Sequence, residues 1–281
     1  MESAGTGRPA SIELVVFFGL AFTISWAFWS LPIVEAAGLF SNPLSPTLTR
    51  LLGAFGPSVA AVALAAADGR RALVRLLGRF RRWRVRPRWY AVVLLLPAGV
   101  SLTVTGVSVL FGQPVPDFSD PPVRELYPLP PEAAGLGLGI LFPIVFVQTL
   151  LLSSPMGEEI GWRGYALPRL QADRSALQAS VLLGGVWGVW HLPLFIVPGD
   201  AIQDATLSAF LLGIIASSVL FTWVFNNTGG SLLLVLLFHT SLVVTDLFLN
   251  AAEPIPFLDV TITWMIALAV LGLYGRARLV R

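Results

Sequence analysis

LFPIVFVQTLLLSSPMGEEIGWRGYALPRL, Leu141 to Leu170, poses the question on which the fold turns. An apolar run suited to hydrocarbon leads into two adjacent glutamates and an arginine: Glu158, Glu159 and Arg163. A charged side chain inside a membrane span costs at least about 2.5 kcal/mol on insertion scales. Three in one stretch need a reason.

Outward from that stretch the chain stays apolar. Of its 281 residues, 56% are hydrophobic and 12% charged. A soluble domain carries about 25% charged residues. Too few charges remain to cover a water-facing surface, so lipid is the expected solvent. An isolated segment in hydrocarbon satisfies its own backbone only as a helix. Apolar segments fall at roughly 12–34, 48–67, 89–111, 134–154, 176–197, 207–226, 231–250 and 258–275. Several reach the ~18–20 residues a spanning helix needs. The expected fold is an all-α membrane protein, a polytopic bundle of about eight transmembrane helices. We read one domain over 1–281, with the core of any site in 134–250. The first run, Ile12 to Val34, is too long for a signal-peptide core and reads as a retained span. There is no cysteine, which excludes disulfides and thiolate metal sites.

Every basic side chain is arginine. Nine lie between Arg70 and Arg88. Others follow at Arg163, Arg169 and Arg174, and at Arg276, Arg278 and Arg281. Eight spans put these groups on one side, together with the N-terminus and Arg8. The opposite loops hold Asp117, Asp120, Glu125, Glu132, Asp200, Asp204 and Glu253 against Arg124 alone. Arginine marks the cytoplasmic side, so both termini are expected inside. The Arg70–Arg88 loop should lie along anionic headgroups, where each basic residue is worth about 1 kcal/mol. Nucleic acid is not an expected partner, because the arginines cluster between apolar runs. The arginine-only, alanine- and glycine-rich composition points to the plasma membrane of a bacterium.

Both histidines of the chain, His191 and His239, fall inside predicted spans. Asp246 follows His239 by two turns, on the same helix face. Glu159 and Arg163 are i, i+4 neighbours in the favourable order. Glu158 points about 100° away around the helix and lacks that partner. A carboxylate so placed suits a general base, and a nearby histidine can share its proton or hold a metal. Each residue also has a plainer explanation. Ser154-Pro155 followed by two acids can be a helix start. A span histidine can bond a neighbouring backbone group, and Asp246 can face an aqueous vestibule. Trp187 and Trp190 read first as packing or interface anchors. The joint occurrence favours one site: three segments bring polar groups into an apolar bundle. Depth tests this. At ~1.5 Å per residue, His239 lies about 13 Å beyond Gly230 and His191 about 20 Å above Gln178. Glu158 lies about 16 Å from Arg169 if the helix runs on through Pro155. The groups meet only if Leu170 to Leu177 follows the interface.

These residues form a familiar set. Glu158-Glu159-Ile160-Gly161-Trp162-Arg163 matches EExxxR, and Trp187 to His191 matches an aromatic-xxx-His block with tryptophan where phenylalanine is usual. VFNNTGGSLLLVLLFHTSLV, around His239, resembles a third block. Together they resemble the CPBP family, the CAAX proteases and bacteriocin-processing enzymes, some described as intramembrane metalloproteases. The resemblance implies a helical membrane core that admits a peptide or membrane-tethered protein substrate and water. By position, Glu158 and His191 would activate the water. His239 would stabilise the oxyanion, with Glu159 and Arg163 completing the first block. The family places asparagine or aspartate four residues after that histidine; here the position is Val243. Either His239 acts alone, or Ser241, Asp246 or Trp187 supports it, or activity is weakened. Glu158, His191 and His239 could hold Zn²⁺, and a metal-free glutamate–histidine base fits them equally. Two other classes remain: a catalytically silent scaffold or bacteriocin-immunity protein, and a proton-coupled transporter.

Overall fold

The computed structural model describes residues 10–127, 135–249 and 255–280. Arg8, Glu132, Glu253 and Arg281, used above for orientation, lie outside the described residues. Those described are helical or irregular, with no strand among them. In hydrocarbon the backbone has no other way to satisfy itself locally.

All eight expected apolar segments contain helix. α1 is Ala10–Ala36. α2 (Pro46–Ala54) and α3 (Gly56–Ala67) form a pair bent by 40°. α4 (Arg70–Leu77) carries the first arginines. α5 is Pro87–Leu110 and α6 a single turn, Val123–Leu126. α7 (Leu138–Leu152), α8 (Ser154–Glu159), a π-helical stretch (Ile160–Ala166) and α9 (Leu167–Leu170) follow one another. α10 (Ala176–Trp190), α11 (Leu207–Asn227), α12 (Leu232–Leu249) and α13 (Leu258–Tyr274) complete the bundle. Among the described residues, five helical stretches are long and apolar enough to cross a membrane, and the bent pair would make six. α10 and α13, of 15 and 17 residues, are shorter apolar helices. The protein is an integral membrane protein.

Pro155 does not sit in the middle of a helix. Ser153 is extended, at φ −138° and ψ −169°, and ends α7. Pro155 then occupies the first turn of α8, where its missing N–H has no acceptor to forgo. A helix does start here, but its N-cap is Ser153, without a side-chain cap bond, and Ser154 is already the first helical residue. The plain explanation of a helix start does not extend to the acids, which close α8 and are buried there.

The EExxxR stretch lies directly against α2 and α3. A Cβ on Gly157 would come 2.5 Å from the Ala54 carbonyl oxygen, and one on Gly161 would come 2.6 Å from the Pro57 carbonyl carbon and oxygen. Only glycine lets the backbones approach this closely, the usual means of packing helices in lipid. Aromatic rings complete the contact. Phe17 stacks on Tyr165 at 5.0 Å, and Trp162 meets Trp190 edge-on at 5.6 Å.

The arginine-bearing connections gather at one end. Arg82 donates to the Gly229 carbonyl between α11 and α12. The N–H groups of Ala176 and Leu177 bond the carbonyls of Ala277 and Arg276. Asn226 and Asn227 hold the carbonyls of Arg278 and Leu279. Arg169 pairs with Glu13 near the start of α1 at 2.8 Å. The α9–α10 link is the four-residue turn Gln171–Arg174, closed by a capping box at Ser175 and Gln178.

Candidate active site

The first block is presented by a change of helix type. After Glu159 the chain passes into a π-helical stretch, a feature found often at functional sites. Every residue from Ile160 to Ala166 is buried. Glu158, Glu159 and Arg163 are 2%, 0% and 0% exposed. Arg163 Nη1 donates to Glu159 Oε1 at 2.8 Å, the pair expected from their spacing. The guanidinium carbon lies 4.2 Å from the Trp187 ring and 4.1 Å from the Phe221 ring. Aromatic faces favour a desolvated cation. Its Nε and Nη2 find no hydrogen-bond acceptor among the described residues.

Glu159 has a second partner that the linear spacing does not suggest. Its Oε1 also lies 2.8 Å from His239 Nδ1, across 80 residues of sequence. His239 is 7% exposed and packs its ring edge-on against Trp187 and Phe221, at 5.8 and 5.6 Å. A carboxylate facing Nδ1 calls for the ring proton there and leaves Nε2 for another partner.

Trp187 joins the blocks. Its indole Nε1 donates to Glu158 Oε2 at 2.6 Å, and its carbonyl lies 2.8 Å from His191 Nδ1. The carbonyl can only accept, so Nδ1 of His191 carries a proton and Nε2 is the free nitrogen. Glu158 therefore does have a partner, supplied by the tryptophan that stands in place of phenylalanine. Trp190 behaves as a packing residue. It is fully buried, its ring tilted against Trp29 at 4.5 Å, and its carbonyl accepts from Trp26 Nε1 at 2.9 Å.

Glu158, Glu159, Arg163, Trp187, His191 and His239 are thus linked by hydrogen bonds and ring contacts. The depths meet as the short α9–α10 link requires. Trp187 reaches Glu158 from one turn before His191. Ser241 is buried, two residues after His239, and its hydroxyl has no hydrogen-bond partner among the described residues. Val243 is half-buried. Asp246 is exposed, two turns along α12 from His239, and the charge it feels most is that of Asp259. One residue near the site went unremarked in the sequence. Arg50 on α2 pairs with Asp200, nine residues beyond His191, and also feels the Glu158 carboxylate. Its signal was a lone arginine inside the 48–67 segment. Among the described residues, no group of three or more His, Asp or Glu side chains is arranged to hold a metal ion.

Residues 140–245 match the family model of the type II CAAX prenyl endopeptidase Rce1-like proteins. That segment of the chain is similar to this family. Over 187 residues the chain is 27% identical to the CAAX prenyl protease 2 of Methanococcus maripaludis. That alignment takes in 64% of this chain and 63% of the relative's length. The Rce1-like segment contains the six linked residues and Ser241, and ends one residue before Asp246.

Proposed function

We propose that the protein is an intramembrane endopeptidase of the CPBP type, in which Glu158 and His191 activate water against a peptide carbonyl. The observation that carries this is the double role of Trp187, whose indole N–H holds Glu158 while its carbonyl holds His191 Nδ1. The basic atoms we assign to the water are a carboxylate oxygen of Glu158 and Nε2 of His191. Water deprotonated between them would add to the carbonyl carbon, and the same proton would pass to the leaving amine.

His239 is the candidate for the oxyanion. With Nδ1–H on Glu159, it can donate from Nε2 only as an imidazolium. One such donor is typically worth ~10²–10³ in rate. Glu159 then does for His239 part of what a residue at position 243 would do.

For zinc, no group of three or more His, Asp or Glu side chains among the described residues is arranged to hold the ion. We therefore route no step through a metal. Elemental analysis of the purified protein, with activity before and after a chelator, decides whether zinc takes part.

The substrate class we propose is a peptide or membrane-tethered protein, met with both termini of the enzyme in the cytoplasm of a bacterial cell and Arg70–Arg88 along anionic headgroups. The catalytic core lies within 134–250. The experiment is digestion of a mixed peptide library by the full chain in proteoliposomes, with new termini read by mass spectrometry. Wild type should create them. Glu158→Gln and His191→Ala should not, while keeping the wild-type unfolding midpoint. Equal cleavage by folded variants would refute the reading. Val243 supports one rival, a silent scaffold or immunity protein. That rival requires no cleavage by wild type and full complementation by both variants.

A further inference from the structure

A second polar feature lies away from the site, at the arginine-rich end. Two cavities of about 520 and 440 Å³ adjoin there. They share Arg84, Val85, Thr228 and Gly229. Arg81 and Arg82 line the first, and Arg86 and Arg88 the second. Among the described residues, no carboxylate side chain lines either one. Among the described residues, no ion pair joins any of these arginines to an acid.

The glycine turn between α11 and α12 brings the cations together. Gly229 and Gly230 adopt φ +64° and +76°, a conformation other residues adopt at a cost. A Cβ on Gly230 would stand 2.5 Å from Arg79 Nη1 and 3.0 Å from Arg82 Nη1. Two guanidinium groups therefore converge on one backbone position. Burial, with the charges of Arg82 and Arg169 adding, pushes Arg79 down to about 10. Arg82 is fixed by the Gly229 carbonyl, and Arg79 lies over the Phe225 ring at 5.4 Å. Arg84 and Arg88 lie over Trp83 and Trp89, at 5.0 and 5.4 Å. The forks are thus held in place before any ligand arrives.

We propose that this cleft, between the Arg81–Arg88 segment and the Asn226–Gly229 turn, is a binding site for one phosphate-bearing anion, supplied by a lipid headgroup. Guanidinium groups match phosphate oxygens two at a time, and converging cations without an acid need such a ligand. Trp83, 53% exposed beside the cleft, is the kind of aromatic residue that settles at headgroup level. The site differs from a diffuse basic surface, on which every exposed arginine contributes alike. It does not depend on the peptidase reading.

The test uses the full chain in neutral detergent, with native mass spectrometry counting bound phosphatidylglycerol against phosphatidylcholine. One phosphatidylglycerol should be retained in preference. Arg84→Ala should weaken it at least about tenfold. Arg82→Gln, which keeps a donor for the Gly229 carbonyl, should do the same. Arg70→Ala with Arg71→Ala removes two exposed charges that line neither cavity and should change binding less than about twofold. A thermal scan of each variant reports whether it is folded. Competition by inorganic phosphate supports the phosphate site and names a free anion as its source; absence of competition names the lipid. Equal weakening by the Arg70 and Arg71 pair, or equal retention of phosphatidylcholine with no phosphate competition, overturns the proposal.

Discussion

Glu159→Gln tests whether the buried cluster holds the bundle together. Neither Glu159 nor Arg163 has exposed side-chain surface. Removing one partner of a buried pair costs about 3–5 kcal/mol, because the other charge stays behind. Two features reduce this. The Trp187 and Phe221 rings lie 4.2 and 4.1 Å from the guanidinium, and a desolvated cation–π contact is worth about 2 kcal/mol. Glu158 also remains within electrostatic reach of Arg163. The net loss expected is therefore about 1–3 kcal/mol. Reversible SDS-driven unfolding in bicelles measures it. The double variant Glu159→Gln, Arg163→Met removes both charges, and most of the loss should return, since an apolar replacement for a buried pair is often neutral. His239 still lacks its carboxylate in that variant, so stability should recover without activity. If Glu159→Gln unfolds within about 1 kcal/mol of wild type, or the double variant is worse than either single one, the pair is not a structural element.

Other outcomes follow from the same geometry. Trp187→Phe keeps the ring but removes the N–H on Glu158. It should lower kcat about tenfold or more with KM nearly unchanged, and a change confined to KM would contradict the positioning role. Gly161→Ala drives a methyl into the Pro57 backbone and should destabilise by roughly 1–3 kcal/mol. Gly99→Ala in α5 meets nothing within 4 Å and should cost nothing in the same assay. In the α5–α6 loop, the N–H and hydroxyl of Ser119 donate to Asp117 at 2.8 and 2.6 Å and hold its carboxyl below its usual 3.8. The order this bond gives the loop is present above the ordinary value and lost as pH falls through the lowered one. A carboxyl carbon NMR titration should move up in Ser119→Ala.

Composition and order along the chain determine a good deal here. A chain with 12% charge and eight long apolar segments has lipid as its solvent and helix as its secondary structure, because both follow from local solvation. The exceptional residues are legible for the same reason, since a carboxylate or imidazole in such a segment stands out by its cost. The i, i+4 pair of Glu159 and Arg163 needs only helical spacing, and it forms. The Glu159–His239 and Trp187–Glu158 bonds span 80 and 29 residues. Which oxygen meets which nitrogen there depends on helix rotation, on the π-helical turn and on glycines that set how near α8 comes to α3. Trp187 does pack in the core, and its indole N–H also bonds Glu158, because burial and hydrogen bonding are separate properties of an indole. Only the packed bundle decides where its N–H points. The arginine cleft follows the same rule: nine arginines are visible in one loop, but the convergence of Arg79 and Arg82 on Gly230 depends on a left-handed turn more than 140 residues away in sequence.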